Sequence, residues 1–159
     1  MTQAQESLKE TMRADLKTAM KAREKERTAA IRALLAAIQA EETNGGRHEL
    51  SDDEILKVVA REIKKRKEAA EMYESNGRPE LAEAELVDVP FFESYQPEQL
   101  DDAGVAQLVD QAVAAVAEET GAEVTMKQMG QVMAKANALA AGRADGKRLS
   151  AAVKERLQA

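Results

Sequence analysis

The chain has 159 residues and a net charge of −6, and 33% of its residues are charged. It contains 31 alanines but only 3% aromatic residues and no tryptophan, which favours slim, closely packed helices over a β-sandwich or barrel. The absence of cysteine excludes disulfides, a thiolate zinc site and a cysteine nucleophile. The single histidine, His48, cannot form a two-histidine metal site.

Neither a membrane span nor a signal peptide is evident in the sequence. No apolar run approaches the roughly 20 residues of a membrane helix, and the N-terminus opens with polar residues. We therefore expect a cytoplasmic, all-α protein that uses no metal or cofactor.

Charge is distributed unevenly along the chain. Residues 96–126 contain seven acids and no base, whereas residues 127–159 contain seven bases and two acids. A local basic surface can bind phosphate despite an acidic total, because salt screens each field within about 10 Å. The two segments could equally neutralise each other in the folded protein, so both alternatives stay open.

The first 50 residues contain two apolar stripes with helical spacing. The first predicts a helix over about residues 3–23 with an inward face of Leu8, Met12, Leu16 and Met20. The second predicts a helix over residues 25–43 with an inward face of Ile31, Leu34, Leu35 and Ile38. The charged segment 21–27 is interpreted as a corner between them, with one long helix as the alternative. Asn44, Gly45 and Gly46 predict the end of the second helix.

A capping box predicts the start of a third helix. Ser51 would cap the first amides while Glu54 reaches back, and Asn76-Gly77 marks the end. The expected inward residues are Ile55, Leu56, Val59, Ile63 and Met72. The expected exposed residues are Lys57, Arg61, Lys64, Lys65, Arg66 and Lys67. Because glutamates lie within helical reach, the run 64–67 is interpreted as a solvated face, with an RNA contact as the alternative.

Two prolines organise the next segment. Pro79 fits the first turn of a fourth helix that contains Leu81, Leu86 and Val87. Pro90 is expected to end or kink that helix. The aromatic residues Phe91, Phe92 and Tyr95 are then expected to seal the core.

Pro97 marks the predicted domain boundary, which gives an N-terminal helical domain of residues 1–95 and a C-terminal three-helix bundle of residues 96–159. In that bundle, Asp101 or Asp102 would cap a helix that ends at Gly121. Its inward residues would be Val105, Leu108, Val109, Ala112, Val113 and Val116.

The last two helices are also predicted from caps and apolar spacing. Thr125 would cap a helix with Met126, Met129, Val132 and Met133 inward and with Gly130 allowing close approach of a neighbour. Asp145 would cap the final helix, which has an apolar stripe of Leu149, Val153 and Leu157.

Several short motifs follow each other along the chain in a characteristic order. They include Ile31-Arg-Ala-Leu-Leu-Ala-Ala-Ile38 and Glu62-Ile-Lys-Lys-Arg66 in the first half, then Met129-Gly-Gln-Val-Met133, Gly142-Arg-Ala-Asp-Gly146 and Val153-Lys-Glu-Arg-Leu157. In order and spacing the chain resembles the YqeY-like family, the stand-alone relatives of the tail domain of GatB. GatB is the tRNA-binding subunit of the glutamine-dependent aminoacyl-tRNA amidotransferase.

The resemblance has implications for fold, partners and activity. It implies an all-helical N-terminal domain joined to a three-helix C-terminal domain, and a link to tRNA, because the GatB tail contacts the tRNA body. It also implies an association with amidotransferase subunits and with carbon–nitrogen ligase activity that uses glutamine as the amide donor. The chain contains neither a P-loop nor a nucleophile elbow, so we expect an accessory role, without catalytic residues of its own.

The candidate RNA-contact residues are the basic residues around the last predicted turn: Lys135, Arg143, Lys147, Arg148 and Lys154. A helix N-terminus flanked by cations could receive a phosphate. The structural alternative is favoured for Gly142, Asp145 and Gly146, with Gly142 as a left-handed cap and Asp145 as an N-cap in an interhelical turn. The predicted function is therefore backbone-directed binding of tRNA or another structured RNA. The alternative is a protein-interaction adaptor that does not bind RNA.

Overall fold

The computed structural model describes residues 7–159, and every regular element in that range is helical. The chain divides into two compact units, residues 1–96 and 97–159, and each unit has its own buried apolar cluster. The all-α fold predicted from composition is therefore confirmed. That residues 1–95 and 96–159 fold as independent domains stays a prediction. None of the helices in the described range has the length and hydropathy of a bilayer span.

Two helices and a tight corner open the first unit. α1 (Leu8–Lys21) starts after a capping box of Ser7 and Glu10. Ser7 was predicted to lie within the helix but is its extended N-cap. The predicted residues 3–6 lie outside the described range. α1 is followed after three residues by α2 (Lys25–Thr43). Arg23 in the link has a left-handed φ of 59°. This confirms the corner and contradicts the single long helix.

Met20 does not continue the inward face of α1. It is 49% exposed, and Ala19 is fully buried in its place. An α-helix has 3.6 residues per turn, so a stripe with a strict spacing of four rotates around the helix by about 40° at each step. Three steps from Leu8 carry Met20 out of the interface.

The capping box at the start of α3 (Asp52–Ser75) is confirmed, with Ser51 accepting a hydrogen bond from the Glu54 amide. Its buried residues are Ile55, Val58, Val59, Ile63 and Ala70. Met72 was predicted to point inward but is 68% exposed. Counting by threes and fours from Ile63 leads to Arg66 and Ala70, which occupy the inner face instead.

Arg66 was predicted to be exposed, and this is wrong. Its guanidinium carbon lies 4.9 Å from the centre of the Phe92 ring, and Nη2 lies 3.3 Å from the Asp88 carboxylate. Only 17% of the Arg66 side chain is exposed. The alkyl stem continues the inner face of α3 while the cation stacks on the aromatic ring.

Both prolines occupy first turns of helices. α4 (Pro79–Leu86) begins at Pro79, and α5 (Val89–Glu93) contains Pro90 in its first turn. The helix is interrupted at residues 87–88, just ahead of Pro90. Proline is tolerated in the first turn of a helix because the amide at that position has no hydrogen-bond partner within the helix. Phe92 is fully buried, and Phe91 and Tyr95 pack against the same cluster. Leu86 and Val87 are exposed at the end of α4.

The Tyr95 hydroxyl donates a 2.6 Å hydrogen bond to the Asp15 carboxylate and so ties the end of the first unit to α1. Burial, followed by the hydrogen bond to Asp15, raises the pKa of Tyr95 above its ordinary value of 10. Because the pKa of Tyr95 is raised in the folded state, the stabilisation that its protonated hydroxyl provides is complete below pH 10. It is lost as the pH rises through the folded pKa. We expect the free energy of unfolding, measured by urea titration, to fall more steeply with pH above 10 in wild type than in Tyr95→Phe. Equal pH dependence of the two proteins above pH 10 would contradict this.

The second unit is a bundle of α6 (Asp102–Thr120), α7 (Met129–Ala140) and α8 (Gly146–Gln158). All six predicted inward residues of α6 are buried, as are Val132, Leu149 and Val153. Thr125 caps a 3-10 turn at Met126–Gln128 that precedes α7. Met126 is 40% exposed, and no atom lies near the Cβ position of Gly130. The inward Met126 and the close approach at Gly130 were therefore wrong predictions.

Candidate nucleic-acid interface

The turn between α7 and α8 brings several of the candidate residues together. Ala141 is the left-handed C-cap of α7 with φ 48°, and Gly142 follows with φ 84°. Asp145 caps α8, and its Oδ1 accepts a 2.7 Å hydrogen bond from the Arg148 amide. Gly146 is the first residue of α8. Gly142 is left-handed as predicted, but the C-cap of α7 is the preceding residue, Ala141.

Arg143 turns back onto the helix that precedes it. Its Nε donates to the Ala140 carbonyl at 3.0 Å, and its Nη2 donates to the Leu139 carbonyl at 2.9 Å. These are carbonyls at the negative C-terminal end of α7, where a cation is favourable. The guanidinium of Arg143 therefore serves as a side-chain cap.

Arg148 connects α8 to the start of α6. Its Nη1 donates to the Leu100 carbonyl at 2.8 Å, and its Nη2 lies 3.1 Å from the carboxylate of Asp102. The first of these contacts is partly buried. A phosphate could recruit this guanidinium only by competing with both contacts, which gives Arg148 a structural role in the bundle.

Acidic side chains of α6 pair with further cations of the bundle. Lys135 contacts Glu119 at 2.5 Å, and Arg156 contacts Asp110 at 2.8 Å. Together with the contact between Arg148 and Asp102, three of the seven C-terminal bases pair with α6. Part of the sequence's charge asymmetry is thus neutralised inside the unit, and in the described part of the chain the other four bases form no ion pair with α6.

Lys147 and Lys154 differ from the other three candidates. Both are exposed, and neither forms an ion pair with any residue of the described range. They are seven residues apart, so they lie on one face of α8, about 10 Å apart along the axis. The positions three and four residues away from each, as far as the helix extends, carry no acid. The buried residues Leu149 and Val153 mark the opposite face.

Lys127 was not among the predicted contacts. It is exposed in the 3-10 turn, which contacts α8, and within residues 7–159 it has no acidic partner. The available signal was its position as the first base after a long acidic stretch. Its place beside α8, however, depends on packing that the sequence does not reveal.

Perturbed carboxylates elsewhere have structural causes. The pKa of Glu42 is lowered mainly by a hydrogen bond from Lys9 Nζ at 2.7 Å, and further by one from the Leu50 amide. His48 lies beside Glu42 in an open surface depression. Ser51 and Glu54, the predicted capping pair, also have a structural role, because each side chain accepts a hydrogen bond from the other residue's backbone amide. Within the described range, no three His, Asp or Glu side chains are grouped to hold a metal ion.

The chain is thus a small helical protein of two compact units, of which the second is a three-helix bundle. The family model described as "Yqey-like protein" matches residues 9–157. The chain therefore belongs to the YqeY-like family, as its motif order indicated. No curated protein sequence matches it.

Proposed function

We propose that this protein is a stand-alone helical module that binds the phosphate backbone of tRNA or another structured RNA through α8. The observation that carries the proposal is the pair of exposed lysines, Lys147 and Lys154, on one face of that helix. Their ammonium groups meet no carboxylate within the described range. A phosphate can therefore reach both of them without breaking a contact that holds the bundle together.

The composition of the second unit supports binding to the backbone, with no reading of bases. Residues 97–159 contain no aromatic side chain, so this unit has no ring on which an unpaired base could stack. Phosphate contacts position a protein on RNA but carry no sequence information. Affinity should therefore depend on RNA shape and charge, and it should fall as salt is raised.

The double variant Lys147→Ala, Lys154→Ala tests this site. We expect weaker binding of every structured RNA, with the slope of log K against log salt reduced by about 1.5, since each lost phosphate contact contributes roughly 0.7–0.9. The measurement is fluorescence anisotropy with a labelled, unmodified tRNA transcript.

The matched control is Lys17→Ala, Lys21→Ala, which removes the same charge from exposed positions on α1. An unchanged slope in the α8 variant, or an equal loss in the control, would reject the α8 site. Arg148 is avoided as a test position because its substitution would also disturb the bundle.

A protein-interaction adaptor is the second candidate. It is favoured by exposed apolar side chains in the first unit, namely Met72, Tyr73, Leu86 and Val87. Apolar contacts with a partner would give an affinity that changes little with salt, in contrast to release of counterions from RNA. Salt dependence therefore distinguishes the two candidates.

The link to GatB extends the proposal to partners. A module that holds the tRNA body could serve glutamine-dependent amidation without supplying the catalytic groups. We expect such an accessory role to appear as co-purification of the full chain with amidotransferase subunits in the presence of tRNA. Absence of these subunits from a tRNA-containing complex would leave RNA binding as the whole proposed activity.

A further inference from the structure

A second concentration of exposed cations lies on α3, in the first unit. Six residues between positions 57 and 67 are exposed, and Ala60 is the one that carries no charge. The other five form what we call the α3 basic face: Lys57, Arg61, Lys64, Lys65 and Lys67. This face extends for about 15 Å along the helix axis. Glu62, the one acid in the segment, is only partly exposed.

Neighbouring acids neutralise only part of the α3 basic face. Arg61 lies 3.2 Å from the Glu41 carboxylate, and Lys64 lies 3.9 Å from Glu68, beyond hydrogen-bond distance. In the described range, Lys57, Lys65 and Lys67 form no ion pair. The glutamates that the sequence offered for a solvated, self-paired face therefore account for few of these cations.

Several of these cations lie at spacings along α3 where like charges repel each other. Lys57 and Arg61 are four residues apart, as are Arg61 and Lys65, while Lys64 and Lys67 are three apart. Like charges at these spacings repel each other on a helix surface. Asp53, Glu54, Glu68 and Glu71 lie at the same spacings from some of these cations and offset part of the repulsion, and a polyanion bound along the face would relieve the rest.

We infer that the α3 basic face binds the phosphate backbone of structured RNA. Its exposed residues include no aromatic ring for base stacking and no large apolar side chain to enter a membrane interface or anchor a protein partner. What the face offers is a row of flexible cations, which fits a regularly charged backbone. It shares its ligand class with the proposed function, but it lies on the other unit from Lys147 and Lys154 and does not depend on them.

The test uses the full chain with Lys57, Lys65 and Lys67 replaced together by glutamine. We expect the slope of log K against log salt for an RNA duplex of 20 base pairs to fall by about 2–3, and the affinity near 0.1 M salt to fall at least about tenfold. The control replaces Lys17, Lys21 and Lys25 by glutamine, which removes an equal charge from the same unit. Circular dichroism and the thermal midpoint verify that both variants are folded.

The outcomes separate this inference from the proposed function. A loss in the α3 variant alone supports the α3 basic face, even where the double variant at Lys147 and Lys154 binds normally and so rejects α8. An unchanged α3 variant, or an equal loss in the control, overturns the inference. Tighter binding to phosphatidylserine vesicles than to the RNA duplex would also overturn it, because the face would then serve a membrane surface.

Discussion

Replacing Phe92 with alanine is expected to lower the free energy of unfolding by about 3–5 kcal/mol. The ring is 1% exposed and fills the core between α5 and its neighbours. It also covers the guanidinium of Arg66, whose buried Nε has no hydrogen-bond partner in the described range. Truncation would therefore leave both a cavity and a less shielded cation.

Phe91 supplies the matched control for this prediction. It is the adjacent residue with the same side chain, but it is only partly buried. Urea unfolding should show a clearly smaller loss for Phe91→Ala than for Phe92→Ala. Equal losses would contradict the packing described for α5.

Replacing Leu149 with alanine is expected to destabilise the second unit by about 2–5 kcal/mol. Leu149 is fully buried at the centre of the smaller bundle, and a bundle of about 60 residues has little stability to spare. Leu157, on the last turn of the same helix and partly buried, is the control and should cost much less. Similar midpoints for the two variants in urea would contradict this account of the core.

Hydrogen exchange on these variants also tests the predicted domains. Each unit has its own buried cluster, so Phe92→Ala should accelerate exchange in residues 7–96, and Leu149→Ala should do so in residues 97–159. Faster exchange throughout the chain in either variant would mean that the two units unfold as one.

The local signals in the sequence predicted much of the fold, because they depend on neighbouring residues alone. The capping box of Ser51 and Glu54, the ends of α2 and the buried face of α6 all follow from short spacings. The errors at Met20 and Met72 have a common origin. An apolar stripe no longer faces a neighbouring helix when it continues past the contacting part of its own helix or departs from the period of 3.6 residues.

The candidate site was harder to predict, because the sequence of one helix does not show which residues of another helix its side chains contact. The sequence shows that α6 is acidic and that α8 is basic. Only the folded bundle shows that Arg148 contacts Asp102 and Leu100, while Lys147, the adjacent residue, faces solvent. Adjacent helical residues point about 100° apart, so neighbours in sequence take opposite roles.

The same limitation applied to the first unit. Arg66 and Lys67 belong to one basic run, yet Arg66 stacks on Phe92, whereas Lys67 is exposed. The composition of the run could not separate the two, because that required the position of α5. Packing therefore divides the basic residues into structural cations and cations that a phosphate can reach.

The most direct test of the account is the binding of an unmodified tRNA transcript to the full chain between 50 and 200 mM salt. We expect log K to fall linearly with log salt, with a slope at least as steep as about −1.5, the contribution of two phosphate contacts. Absence of binding at 50 mM salt, or an affinity independent of salt, would contradict RNA-backbone recognition and favour the protein-interaction adaptor.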